Sequence, residues 1–260
     1  AMNPIKIVFF DIDGTLIDMQ TKRITPATLE TLRRLRAGGV KICLATGRSP
    51  ITLPDIPDVK FDAYLTFNGS LCYTETETIF SNPIAPDDVR TLVRNATALG
   101  RPVAAAMRDE LAANGADQDL TDYFAIANEV PRIVPDFDDL CRTKDIYQVM
   151  LGCRAADYEA VLQGAHGAKI AAWWDRAVDV IPSDGGKGIG IQKTLAYFGL
   201  TSAQAAAFGD GNNDCEMLDA VGMGVAMGNA SPELKARADA VCGDVTQDGV
   251  YRYCLENQWI

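Results

Sequence analysis

Two aspartates one residue apart, directly behind an apolar run, constrain this chain more than any other feature. Ile5-Lys6-Ile7-Val8-Phe9-Phe10 is rich in β-formers and reads as a buried strand, and Asp11-Ile12-Asp13-Gly14-Thr15 follows it at once. The Asp-Gly pair ends the strand with a turn. Both carboxylates therefore stand at a strand end, the edge where open α/β sheets bind ligands. Two acids this close repel each other unless a cation lies between them, and hard oxygen ligands of this kind suit Mg2+. A strand followed by an ordinary Asp-Gly turn would look the same locally, so the rest of the chain has to decide.

A chain of 260 residues with 48% hydrophobic content can bury a sizeable core, as one large domain or two smaller ones. The formal charge of -11 argues against nucleic acid or an anionic membrane as partner. The seven cysteines include no Cys-x-x-Cys, and an odd, scattered set reads as reduced thiols in a cytoplasmic protein. No stretch approaches a membrane span, and the first residues lack a signal-peptide apolar core. Ala1 before Met2 reads as an added residue, with Met2 the expected natural start. The single histidine, His166, lies in a Gly-Ala-rich stretch and is expected at the surface. Without Gly-x-Ser-x-Gly or a second histidine, acid–base chemistry falls to carboxylates.

The strand around Val8 is followed by a helix that opens at Thr25-Pro26, carries Leu29, Leu32 and Leu35, and ends at Gly38-Gly39. Val40 to Ala45 is the next apolar run and stops at Thr46-Gly47-Arg48. Strand, helix and strand in that order make a βαβ unit with a parallel sheet, so Thr46 shares an edge with Asp11. Three prolines between Ser49 and Pro57 oppose a long helix there. Ala63 to Phe67 reads as a strand turning at Asn68-Gly69.

The character shifts near Asn82-Pro83. A helix over 86–99, strands over 101–107 and 145–152, a helix over 155–163 and a hairpin of 169–174 with 177–181 predict a second, mixed unit; residues 109–144 show no clear pattern. This unit is expected to be inserted into the first. Trp173 and Trp174, as neighbours on a strand, are expected to face opposite sides. Lys187, in Gly185-Gly186-Lys187-Gly188, is placed in the first turn of a helix. Ala205 to Gly209 predicts another strand, running into Asp210-Gly211-Asn212-Asn213-Asp214, and Ser231-Pro232 starts a further helix.

Other readings fail on spacing. An EF-hand loop from Asp11 would meet Leu16 and Lys22 where Gly and Glu are required, and one from Asp210 would meet Cys215 and Val221. Gly186-Lys187 lacks the Ser/Thr and the first Gly of a phosphate-binding P-loop. What remains is an acid pair, a threonine, a lysine and an acid cluster, each at or beside a strand end. That set suits phosphoryl transfer, which needs positioning and charge stabilisation. Asp11 can attack phosphorus. Asp13 can protonate the leaving oxygen and then activate water. Thr46 offers a hydroxyl and a backbone N–H, Lys187 neutralises phosphate and Asp11, and Asp210, with Asp214 behind it, can hold Mg2+.

Asp11-x-Asp-Gly-Thr, Thr46-Gly47-Arg48, Lys187-Gly188 and Gly209-Asp-Gly-Asn-Asn-Asp214 resemble, in order and spacing, the four motifs of the haloacid dehalogenase-like superfamily, and within it the Cof-type sugar phosphatases. The resemblance runs nearly the whole length, through Asn68-Gly69, Met217-Leu218 and Met227-Gly228-Asn229-Ala230. It implies an α/β fold: a Rossmann-like parallel-sheet core, 1–82 and 182–260, with an inserted α+β cap domain, 83–181. It implies Mg2+ held by the side chains of Asp11 and Asp210 and the backbone carbonyl of Asp13, with Asp214 close by. Phosphate would lie against Thr46, Gly47, Lys187 and Asn213, with Arg48 and Asn68 toward the substrate. The prolines after Arg48 depart from the family's usual helix, and 109–144 carries no family signature. The expected activity is hydrolysis of a small phosphorylated metabolite, a sugar phosphate in this resemblance, by a monomer or small homo-oligomer. A phosphomutase using the same aspartyl-phosphate, or a non-catalytic metal- or ligand-binding module, would share these residues. Release of inorganic phosphate separates the first alternative, and any turnover separates the second.

Overall fold

The computed structural model describes residues 4–260; the reading of Ala1 and Met2 lies outside the described residues. Along the chain come β1 (Ile7–Phe10), α1 (Pro26–Ala37), β2 (Lys41–Ala45), β3 (Ala63–Thr66), β4 (Leu71–Tyr73) and β5 (Thr78–Ser81). Next are α2 (Pro86–Ala98), β6 (Val103–Ala106), β7 (Leu111–Ala113), α3 (Gln118–Ile126), α4 (Phe137–Thr143), β8 (Gln148–Gly152), α5 (Tyr158–Leu162), β9 (Ala168–Ala171) and β10 (Ala177–Pro182). The chain closes with α6 (Lys187–Phe198), β11 (Ala205–Gly209), α7 (Cys215–Asp219), β12 (Met223–Ala226), α8 (Pro232–Arg237), β13 (Ala240–Val241) and α9 (Gly249–Glu256).

Two sheets result. The first has the order β13-β12-β11-β1-β2-β3-β4-β5, parallel from β13 to β3 and antiparallel at β4 and β5. The second, β7-β6-β8-β10-β9, is antiparallel throughout. Lys41 and Thr66 apart, the parallel strands are built from apolar and aromatic residues because both faces are covered. Val8, Phe10, Ile42, Leu44 and Phe208 face Leu32 and Leu35 of α1 and Val250 and Cys254 of α9. Ile7, Phe9, Cys43 and Ala207 face Ile191 and Leu195 of α6 and Met217 and Leu218 of α7. In the antiparallel sheet Val103, Val149, Leu151, Val178 and Val180 pack on α2, α4 and α5. Its other face, with Ala104, Ala106 and Met150, packs on Leu120 and Phe124 of α3 and on Phe67 of the first unit, whose ring stacks on Tyr147 with centroids 5.2 Å apart. The second sheet thus lies over the turn that follows β3.

The connections run from β1 to β2 and β3 on one side and from β11 to β12 and β13 on the other. The strand order therefore reverses between β1 and β11, the switch point where such sheets open a crevice at their carboxyl ends.

Three local expectations are corrected. The strand expected over Ala63–Phe67 ends at Thr66, because Phe67 and Asn68 take left-handed backbone (φ 51° and 56°) to make the turn. Trp173 and Trp174 are not on a strand: β9 ends at Ala171, and both indoles gather on Tyr123 of α3, with ring centroids 5.9 and 5.6 Å away. β9 is an edge strand with one pairing partner, so little holds its last residues in the ladder once aromatic contacts compete. The segment 109–144, without legible pattern in sequence, forms β7, α3 and α4.

Phe208 joins the two halves of the parallel sheet: its ring stacks on Phe10 at 5.4 Å and meets Tyr253 and Trp259 edge-on. Phe208→Ala is expected to lower unfolding free energy by about 3–5 kcal/mol, as for truncation of a fully buried aromatic. Urea titration followed by circular dichroism checks this, and a loss under about 1 kcal/mol would mean the site collapses without a cavity.

Candidate active site

Asp11 follows β1, Thr46 follows β2 and Asp210 follows β11, so three adjacent parallel strands deliver them to one edge. Lys187 is the first residue of α6 and is fully buried. Its Nζ donates to Asp11 Oδ1 at 3.0 Å and to Asp214 Oδ1 at 2.6 Å. Asp214 Oδ2 in turn accepts the backbone N–H groups of Asp210 (3.0 Å) and Gly211 (3.2 Å), which fixes the loop after β11. Carboxylate oxygens of Asp11, Asp210 and Asp214 lie within 4.8 Å of one another. The close approach needs a glycine opposite: Gly14 has φ +84°, and a Cβ there would fall 2.0 Å from Asp210 Oδ2.

The electrostatics follow from crowding acids in a buried place. Burial, then the charge of Asp214, pushes the Asp11 carboxyl up to about 6, against the pull of Lys187. Burial, then Asp11, pushes Asp210 well above the usual carboxylate range. Burial would lower the Lys187 ammonium, but Asp11 and Asp214 more than reverse this and hold it charged. Three acids against one ammonium leave excess negative charge, and the donors are all hard carboxylate oxygens. A divalent cation such as Mg2+ fits this set, because its charge favours the ionised forms that burial disfavours. The residues placed to hold it are Asp11 and Asp210.

Asp13 is held otherwise. Arg48 clamps it with two parallel bonds, Nε to Oδ2 at 2.9 Å and Nη2 to Oδ1 at 2.6 Å, and ties the loop by donating from Nη1 to the Thr52 carbonyl at 2.8 Å. The expectation that Thr46 offers both a hydroxyl and a backbone N–H is corrected in part. Its N–H donates to the Leu65 carbonyl at 2.9 Å, because β2 pairs with β3 up to this point. Its hydroxyl accepts from Arg48 N at 3.0 Å and keeps its proton to donate. The neighbouring Gly47 N–H makes no hydrogen bond among the described residues.

The antiparallel unit closes over this edge through a polar seam. Gln148 of β8 donates to the Gly47 carbonyl at 3.0 Å and accepts from Asn68 Nδ2 at 2.9 Å. Asn68 Nδ2 also donates to Asp179 Oδ2 of β10 at 2.9 Å, and Asn68 Oδ1 accepts from Asn213 at 3.2 Å. The Tyr123 hydroxyl donates to Asp179 Oδ1 at 2.8 Å and accepts from Trp173 Nε1 at 3.2 Å. Between seam and edge lies a cleft that Asp11, Asp13, Thr46, Gly47, Arg48, Asp210 and Asn213 line from below and Phe124, Gln148, Trp173 and Asp179 from above. Asn229 supports the floor by donating to the Gly14 carbonyl at 2.8 Å.

All ten residues singled out in the sequence therefore gather at or directly beneath one cleft. Four that border it from the other unit were not singled out for the site: Tyr123, Gln148 and Asp179, together with Phe124. Gln148 and Asp179 had a signal, since each is a lone polar residue inside an apolar strand run, Ile146 to Leu151 and Ala177 to Ile181. Tyr123 and Phe124 had none, lying in the segment without readable periodicity.

With this geometry in hand, comparison with known proteins is specific. The family model described as haloacid dehalogenase-like hydrolase matches residues 8–254. The chain is 33% identical over 247 residues to YkrA, a candidate phosphatase of Bacillus subtilis (strain 168), covering 94% of this chain and 95% of that one. Among solved structures, a HAD subclass IIB sugar phosphatase superimposes with a TM-score of 0.88 at 28% identity, covering 98% of this chain and 100% of the other. A phosphatase of the same superfamily from Bacteroides thetaiotaomicron superimposes with a TM-score of 0.90 at 27% identity, covering 99% and 96%.

Burial pushes the Asp179 carboxyl up to about 6, partly offset by its bonds from Tyr123 and Asn68. A folded-state value above the ordinary 3.8 means that this group's stabilising contribution is complete below about pH 4 and is lost as pH rises through about 6. The gap corresponds to an order of 3 kcal/mol. Asp179→Asn should therefore gain stability relative to wild type between pH 4 and pH 7. Melting curves of the two proteins across that range check this; a constant difference would show that Asp179 titrates normally.

Proposed function

We propose, for a chain that belongs to the haloacid dehalogenase-like hydrolase family and is a phosphatase, Mg2+-dependent hydrolysis of small phosphate monoesters, sugar phosphates in particular, through an aspartyl-phosphate on Asp11. The observation that carries the reading is the buried Lys187 ammonium bridging Asp11 and Asp214 beside Asp210, at the floor of a covered cleft. The domains are taken as a Rossmann-like core, 1–82 and 182–260, and a cap, 83–181. The sugar assignment is supported by the likeness to a sugar phosphatase and by a cleft with both polar and apolar walls.

Lys187 occupies Asp11 Oδ1, which leaves Oδ2 to attack phosphorus. Gly47 N–H, the Thr46 hydroxyl and Lys187 receive charge on the phosphoryl oxygens. As the bond from phosphorus to the ester oxygen breaks, Asp13 delivers a proton to that oxygen and the alcohol leaves. Asp13, now a carboxylate, takes a proton from water, which attacks phosphorus and releases inorganic phosphate and the Asp11 carboxylate. In both halves Asp13 must exchange an Arg48 donor for its reacting partner, so Arg48 orients the acid between steps. Asp11, Asp210 and the Asp13 carbonyl would hold Mg2+, which when bound would supply positive charge to offset this cluster of acids against phosphate. The seven free thiols and the acidic charge support a cytoplasmic protein acting on a small phosphorylated metabolite, as a monomer or small homo-oligomer, with no nucleic acid or membrane partner.

Asp11→Asn keeps the shape and removes the attacking charge, and turnover of p-nitrophenyl phosphate should fall at least about a thousandfold, as for loss of an essential group. Retention of a tenth of wild-type turnover would contradict the covalent role. Chelation with EDTA should abolish activity, Mg2+ should restore it, and Ca2+ should not, being larger and demanding more oxygen ligands than this cluster aligns for attack. Full activity in Ca2+ alone would overturn the metal assignment.

A further inference from the structure

The floor of the cleft accounts for the phosphoryl group, and nothing in it reads the alcohol that leaves. The upper wall has two acids, Glu129 and Asp179, and of these Asp179 is the one oriented by side-chain hydrogen bonds. Asp179 is 2% exposed yet borders the cleft, and it stands against the phosphate loop: a Cβ on Gly47 would lie 2.9 Å from Asp179 Oδ2. A carboxylate has about four acceptor directions. Tyr123 takes one at Oδ1 and Asn68 one at Oδ2, so acceptor capacity remains on both oxygens. Donors of Tyr123 and Asn68 also fix its orientation, which makes it a preorganised acceptor and not a mobile surface acid.

The charge around it is one-sided. Besides the acids of the floor, Glu129 and Asp179 border the cleft from the cap. Among the described residues lining the cleft, Arg48 is the one basic side chain, and both its outer donors are committed to Asp13. Lys187 is buried beneath and committed to Asp11 and Asp214. Lys22, outside the cleft lining, donates to the Ala125 carbonyl at 2.5 Å and to Asn128 at 2.8 Å. The cap side therefore has no cation to receive a second anionic group; apart from Glu129, Asp179, Tyr123, Gln148 and Trp173 its wall is apolar, with Leu111, Phe124, Ile126 and Met150.

Resting on the phosphatase reading above, we infer that Asp179, set by Tyr123 and Asn68, selects leaving groups that donate hydrogen bonds and carry no second anionic group. The substrate class is monophosphates of neutral or amino-bearing polyols, with bisphosphates excluded. An oriented acceptor in a largely apolar wall rewards a hydroxyl or ammonium donor, and an anion in its place meets a like charge.

The test compares kcat/KM for glucose 6-phosphate and glucose 1,6-bisphosphate, which differ by one phosphate, in wild type and in Asp179→Asn, with p-nitrophenyl phosphate as the general phosphatase readout. Wild type should prefer the monophosphate by at least about tenfold, the scale of one unfavourable like-charge contact. Asp179→Asn should shrink that preference at least about fivefold, mainly by improving KM for the bisphosphate. Equal use of both sugars by a wild type active on p-nitrophenyl phosphate would overturn this inference and leave the phosphatase reading standing, whether or not the variant folds. A folded Asp179→Asn with the wild-type ratio within twofold would also overturn it. A wild type inactive on all three esters would overturn the phosphatase reading, and the inference with it.

Discussion

The buried ammonium of Lys187 holds the site together. An isolated charge at that depth would be prohibitively unfavourable, and so would the two carboxylates it joins. Their mutual proximity makes each tolerable, and it ties the first turn of α6 to the ends of β1 and β11 at once. Asp214 passes the constraint on by accepting two backbone N–H groups of the loop that carries Asp210. One cation thus sets the positions of three acids from two separate stretches of sequence. The remaining negative charge is the property a divalent metal and a phosphoryl group can both exploit.

Much of this was readable in the residues. Apolar runs that stop at Asp11, Thr46 and Asp210 announce parallel strands, and parallel strands put their carboxyl ends together, so a shared site followed before any coordinates. The stop signals are strong because Gly and Asp disfavour continuing the strand. The hidden parts obey longer-range rules. Trp173 and Trp174 continue an apolar run that suits a strand, yet the edge position of β9 and the pull of Tyr123 release them from it. Helix α3 buries Leu120 and Phe124 in a short segment of mixed composition, where packing against β8 and β10 decides the outcome and propensity does not. The Thr46 N–H is taken by a ladder whose register only the folded sheet reveals.

The seam between the two sheets shows how chemistry and coverage are divided. Gln148 and Asp179 sit in otherwise apolar strands, where an unpartnered polar group would be costly. Gln148 is satisfied by Gly47 and Asn68 of the first unit, and Asp179 by Asn68 of the first unit and by Tyr123 of its own. Asn68 is the common member, held in left-handed backbone at the turn after β3 with its amide directed at both strands. Closure of the cap over the floor is thereby coupled to the loop that carries Thr46 and Arg48.

The central claim is that Asp11 becomes covalently phosphorylated. The direct measurement is rapid acid quench during turnover of acetyl phosphate, whose good leaving group needs little proton donation, followed by proteolysis and mass spectrometry of the peptide containing residues 11 and 13. Asp13→Asn, which slows the water attack, serves as the trapping variant. The account predicts phosphate on Asp11, at higher occupancy in Asp13→Asn than in wild type. Active enzyme with phosphate on no aspartate under either condition, or with phosphate on Asp13 or Asp210 instead, would contradict it.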